Sequence, residues 1–348
     1  MLLEELSQAR GVSGDEGAVR DLLIKAVKPY SDEQHVDALG NLICLRKARR
    51  APMAGGPRKV MVAAHMDEVG LIVTGINPDG TLRFERVGGG DERVLLSKAV
   101  LVGDKAVPGV IGYRPIHLIP GPEREHAADM SKAAIDIGAT NKGGAERLAR
   151  PGDYVTFATR FELVGEESNQ MAIGKAFDDR AGCAVLCELM QEDYAFDLYA
   201  TFTAQEEVGM RGARVAAYAV GPDVGIALEG IFCDDLPKKK DVSPVTQIGK
   251  GPAISVMDLS AIMDPRLVKL MVRAAEANGI PYQFKQMVAG GTDAGAIHLT
   301  HTGVPSVTVS VPSRYVHAPV SLLSLSDYHY TVQLTRAALH LLEGGLGS

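Results

Sequence analysis

The sequence predicts an α/β protein with three layers: a mostly parallel sheet, helices on both of its faces, and a small β-rich domain inserted into it. Three observations carry this expectation. Beyond Asp178 the chain alternates helical patterns with short apolar runs, as parallel strands joined by covering helices do. Between about 70 and 163 it switches to closely spaced strand-like segments divided by turn signals. At 348 residues the chain is also too long for one small core. The expected division is a main domain built from 1–69 and 164–348, interrupted by an insert over 70–163.

A first helix begins at Leu2 and gives way at Gly11. A second opens at Ser13-Gly14-Asp15-Glu16, where Ser13 can cap and Glu16 can return the bond. Val19, Leu22, Leu23, Ala26 and Val27 form its apolar stripe. A strand over 41–45 and a basic, Pro/Gly-rich loop over 46–58 lead to a buried strand, 59–64, that delivers His65. In the insert, strands at 70–76 and 81–87 flank the turn Asn77-Pro78-Asp79-Gly80. Further strands are expected at 100–102, 107–112 and 154–161, with one helix near 141–148. After Asp178 helices over 180–191, 212–219, 265–278 and 327–342 alternate with strands over 197–203, 224–228 and 304–311.

Composition excludes several classes. A net charge of −7 argues against nucleic acid, which needs a basic surface. Tryptophan is absent, so stacking platforms are few. No apolar run reaches the roughly 18 residues of a membrane span, and the N-terminus lacks the basic start and apolar core of a secretory leader. The four cysteines make no CxxC pair; Cys183 and Cys187, four apart in an apolar helical pattern, read as buried thiols. A reducing cytoplasm is the expected setting.

Five short segments carry metal-type ligands: AHMDEVG, GKAFDDRAG, AQEEVG, GIALEG and SRYVHAP. In extended chain His65 and Asp67 point to one side, so the imidazole can ligate while the carboxylate steadies it; a purely structural pair has the same look. Asp178 precedes an apolar helix, where a carboxylate can bridge two cations or merely cap. Glu206 and Glu207 follow a strand in non-helical chain, so their side chains diverge. One can bind metal while the other faces a water, or both can be loop residues. Glu229 closes a buried strand, where an acid without a partner is uncommon. His317 follows the last strand between Pro312 and Pro319. Two histidines and three carboxylates with one acid to spare are the inventory of a two-metal hydrolytic centre. Strand ends of an open α/β sheet are where ligands collect.

This ordered set resembles metallopeptidase family 42, the tetrahedral aminopeptidases, also described as glutamyl aminopeptidase, deblocking aminopeptidase or cellulase M. The likeness runs from GVSGDE through Ile116–Leu118, Asp136-Ile137-Gly138 and GGTDAGAIH to RYVHAP. It implies that Asp178 bridges two divalent ions, that His65 and Glu229 complete one, and that Glu207 and His317 complete the other. It implies Glu206 as general base and Asp67 as the residue orienting the His65 side. It also implies that the insert is a dimerisation domain and that dimers assemble into a hollow dodecamer. One departure is Glu229, where the family usually has Asp.

The resulting expectation is a cytoplasmic metallo-aminopeptidase that removes N-terminal residues from short peptides, with Glu206 as base on a water between two metal ions. Mixed N/O ligands suit zinc or cobalt, with manganese also accepted. Partners are peptides and copies of the chain, with no nucleic acid and no membrane. The alternative is a metal-dependent deacylase of N-acyl amino acids. A glycosidase, which needs a carboxylate pair and no metal, or a silent peptide-binding protein are further options. Met257, Ile262 and Met263 lean the substrate pocket apolar.

Overall fold

A computed structural model describes residues 1–121, 126–236 and 245–346, apart from the side chain of residue 168. An 11-stranded sheet forms the main body. Its centre is parallel: Asp197–Thr203, Lys59–His65, Val224–Cys233 and Ser306–Arg314 lie side by side in that order. The flanks are antiparallel, with Glu33–Val36 and Leu42–Arg46 on one side and Ser321–Ser324, Met171–Gly174 and Glu162–Val164 on the other. The sheet is therefore mixed where a mostly parallel one was expected. The flanking strands are short and linked without long helices, so nothing forces them parallel.

Both faces of the central strands are covered. Val60, Val62 and Ala64 pack with the helices Phe177–Leu189, Pro265–Asn278 and Leu325–Leu342 in the larger core, while Met61 and Ala63 pack under Arg211–Val220 on the opposite face. Alternate residues of one strand thus serve two layers, which is why the segment reads as an unbroken apolar run.

The register brings strand tips together. Thr203 pairs with His65, and Ala227 with Ala63, so the ends of the first two strands lie level with the neighbourhood of Glu229 in the third. Glu229 lies inside its strand and not at its end, because Gly230–Cys233 go on to pair with Val311–Arg314. That continuation runs through Pro312, a residue that reads as a stop in sequence. Glu229 still clears its other neighbour, whose pairing stops at Ala227.

The insert is a closed antiparallel barrel of six strands: Gly70–Ile76, Leu82–Val87, Ala134–Asp136, Val107–Gly112, Ala99–Val102 and Tyr154–Phe157. It has its own core, including Leu71, Leu82, Val100, Ile111, Ile135, Val155 and Phe157. Its first and last strands are neighbours, Leu71 opposite Val155. The strand Glu162–Val164 belongs to the large sheet, and the last strand of the barrel is Tyr154–Phe157. No helix among the described residues is long and apolar enough to cross a membrane. Cys44, Cys183, Cys187 and Cys233 are free, and the first three are buried.

Candidate metal centre

His65 ends its strand almost fully buried. Its Nδ1 sits 3.1 Å from the main-chain carbonyl of Asp67 and 3.5 Å from that residue's Oδ1. A carbonyl only accepts, so the ring hydrogen belongs on Nδ1 and Nε2 is left to face the site. There Nε2 lies 3.3 Å from Oδ1 of Asp178 and 3.5 Å from Oε2 of Glu229.

Asp178 and Asp179 begin the helix Phe177–Leu189 in non-helical backbone, joined by a cis peptide. The two carboxylates separate. Asp179 turns inward, accepting from the amides of His65 and Gly182, whereas Asp178 faces the cavity. Oδ1 of Asp178 also accepts from the amide of Gly230 at 3.1 Å. A Cβ at position 230 would stand 2.7 Å from Asp178, so only glycine permits this approach.

The second oxygen of Asp178 lies 3.4 Å from Nε2 of His317, which is 3.2 Å from Oε2 of Glu207. Two groups therefore share Asp178: His65, Asp178 and Glu229, and Asp178, Glu207 and His317, each with candidate ligand atoms within 4.8 Å of one another. Glu206 lines the same cavity, which encloses about 470 Å³.

The electrostatics are those of a site short of positive charge. Burial pushes the carboxyls of Glu206, Glu207 and Glu229 up, and neighbouring carboxylates add to the effect. Burial opposes protonation of His65 and His317, yet Asp178 and its acidic neighbours hold both above the ordinary histidine value. Lys285, a cation in the cavity wall, donates its Nζ to the carbonyl of Ala289. Three carboxylates and two imidazoles that share Asp178, with the acidic Glu206 beside them, form a donor set that suits divalent cations.

A family model described as M42 glutamyl aminopeptidase matches residues 40–334. The chain belongs to the M42 family. It is therefore an aminopeptidase, a hydrolase acting on peptides, of a metal-dependent class. The lysyl aminopeptidase of Pyrococcus furiosus is 33% identical over 352 residues, covering 98% of this chain and 97% of the relative. A TET aminopeptidase from a marine sediment Thaumarchaeota archaeon superposes with a TM-score of 0.92 at 35% identity, over 99% of this chain and 98% of that one. The TET1 peptidase of Pyrococcus horikoshii, which can assemble into a tetrahedron or a large octahedral shell, gives 0.83 at 33%, over 97% and 98%.

Within this M42 chain, all seven residues singled out in sequence lie at or against one site. Asp67 is fully buried behind it, accepting from Ser13 Oγ (2.6 Å) and from the amides of Glu206 and Glu207. Two expectations fail. The capping box at Ser13 and Glu16 does not form: Glu16 stands at the N-cap of the helix Gly17–Val27 with no side-chain cap bond, and Ser13 bonds Asp67 instead. Met257, Ile262 and Met263 do not line the cavity; Met263 is core and the other two are solvent-exposed. Ile231, Phe232, Met210, Ser255, Thr292 and Lys285 form its wall. Asp293 is an addition to the expected set: its amide donates to Glu229 Oε1 at 3.1 Å, and its Oδ1 is buried without a hydrogen-bond partner among the described residues. The signal for it was present in GGTDAGAIH.

Proposed function

We propose that this chain is a co-catalytic two-metal aminopeptidase acting on short peptides. His65 and Glu229 hold one ion, Glu207 and His317 the other, and Asp178 is shared. The observation that supports this most is the placement of Asp178, one oxygen toward each histidine. The two ions, when bound, polarise the scissile carbonyl and acidify the attacking water. Glu206 takes the proton from that water and returns it to the departing amine; burial and the neighbouring carboxylates raise its pKa. Asp67 keeps the His65 ring turned so that Nε2 faces the site.

Zinc or cobalt, with manganese as a third choice, suits two imidazoles and three carboxylates. The relatives are named for aminopeptidase activity, which favours this reading over deacylation of N-acyl amino acids. The barrel serves as the dimerisation domain on this reading, and the dimers build a larger closed particle; the self-assembling P. horikoshii relative supports the larger particle. A reducing cytoplasm accords with four free thiols. The deciding experiment is elemental analysis beside an aminoacyl-arylamide assay. Two ions per subunit and activity that is lost to a chelator and restored by divalent metal are expected. One ion at full activity refutes the two-metal reading.

A further inference from the structure

Glu206 makes no side-chain hydrogen bond among the described residues, so its main chain must set where its carboxylate points. That main chain is held unusually. After the strand Asp197–Thr203, four successive amides donate to side-chain oxygens from elsewhere. Ala204 donates to Asn41 Oδ1 (2.9 Å), Gln205 to Glu16 Oε1 (3.2 Å), Glu206 to Asp67 Oδ1 (2.9 Å) and Glu207 to Asp67 Oδ2 (3.1 Å). All three acceptor residues are buried, with relative exposures of 0, 4 and 0%.

The loop needs them. Gln205 and Met210 have positive φ, so the chain is neither strand nor helix there. The carbonyls of Ala204, Gln205 and Glu206 are satisfied by amides of the turn into the helix Arg211–Val220. The amides of 204–207 have no main-chain acceptor in that arrangement, and buried unpaired amides are costly. The acceptors are themselves fixed. Asn41 donates to Asp37 and to the Gly212 carbonyl, Asp67 accepts from Ser13, and Glu16 accepts from the Gly14 amide.

We infer that Glu16 and Asn41 are positioning residues for Glu206, acting with Asp67 as a clamp on its backbone. This rests on the reading of Glu206 as general base. A base displaced by a fraction of an ångström loses much of its rate while substrate binding and metal ligation persist. The GVSGDEG segment thereby acquires a role that helix capping does not supply: it delivers Ser13 and Glu16 to the back of the catalytic loop.

The test compares Glu16→Ala with Glu16→Gln, which keeps an acceptor oxygen. For Glu16→Ala, kcat falls about tenfold to a hundredfold, KM and metal content stay near wild type, and hydrogen exchange quickens in the peptide spanning 204–207. Glu16→Gln recovers most of both losses. Placed on Glu206→Gln, Glu16→Ala costs little further rate. Unchanged exchange in Glu16→Ala overturns the clamp. Faster exchange with an undiminished kcat, or an equal loss of rate on the Glu206→Gln background, overturns the positioning role. If Glu206→Gln alone retains kcat, the general-base reading fails, and exchange still reports on the clamp separately. Should Glu16→Ala not fold, Glu16→Asp, one methylene shorter, serves the same comparison.

Discussion

Oε2 of Glu207 lies 3.2 Å from Nε2 of His317 across the mouth of the site. The adjacent Glu206 has no such partner among the described residues, and on the proposed reading the two neighbouring glutamates serve different tasks. Glu206→Gln should keep its metal and lose turnover by about 10²–10⁴-fold. Glu207→Ala should lose one ion preferentially. Elemental analysis beside kcat separates them, and equal metal loss in both variants contradicts the assignment.

Recognition of the substrate amine gives a second expectation. An aminopeptidase holds a free α-amine, and a cavity rimmed by Glu206, Glu207 and Glu229 offers it acidic neighbours. Acetylation removes that charge and leaves a buried carboxylate unpaired, at about 1–3 kcal/mol or more of transition-state binding. Short unblocked peptides should be trimmed from the N-terminus and their acetylated twins only slowly. Similar kcat/KM for the two restores the deacylase alternative.

Assembly is the third. The intact protein should scatter light as a particle far larger than a monomer, a dodecamer being expected. Replacing residues 70–157 by a short linker should abolish the dimer. A monomer from intact, metal-loaded protein contradicts the role given to the barrel.

The pH dependence of stability supplies a fourth. Lys175 is buried against Glu68, both of whose oxygens accept from its Nζ, and burial lowers its pKa to about 8. The unfolded chain keeps this proton up to an ordinary lysine value of about 10.4. Between the two values the unfolded state binds more protons, so the contribution of Lys175 to stability grows as pH rises and is lost as pH falls through 8. The full swing is about 3 kcal/mol. The Tm of wild type relative to Lys175→Met should therefore shift in favour of wild type from pH 8 to 10.5. A constant gap shows that the lysine titrates normally.

The candidate ligands were legible because most of them stand at or just past an apolar run, a position where charge is out of place, while Asp178 opens an apolar helix. Strand limits were harder to read. Glu229 looked terminal because Gly230 and Pro312 are poor strand residues, yet pairing with Val311–Arg314 carries the strand past them. The two-residue strands Ala253–Ile254 and Gln283–Phe284 are too short to show any periodicity. Glu16 was misread for a physical reason. A capping side chain and a clamping one offer the same acceptor to the same kind of amide, and here the amide lies 189 residues away. Local pattern cannot tell the two apart.

The adjacency of Leu71 and Val155 also bears on how the chain folds. His65 and Asp178 are 113 positions apart, a long loop to close before one centre can form. Closure entropy grows only with the logarithm of loop length, but it must be met before distant contacts repay it. A barrel whose two ends emerge side by side shortens that search. Once its strands have paired, the main domain experiences the insert as little more than a tight hairpin between the His65 strand and the segment leading to Asp178. The barrel then acts as an internal splint, and variants that weaken its core should slow formation of a centre they never touch.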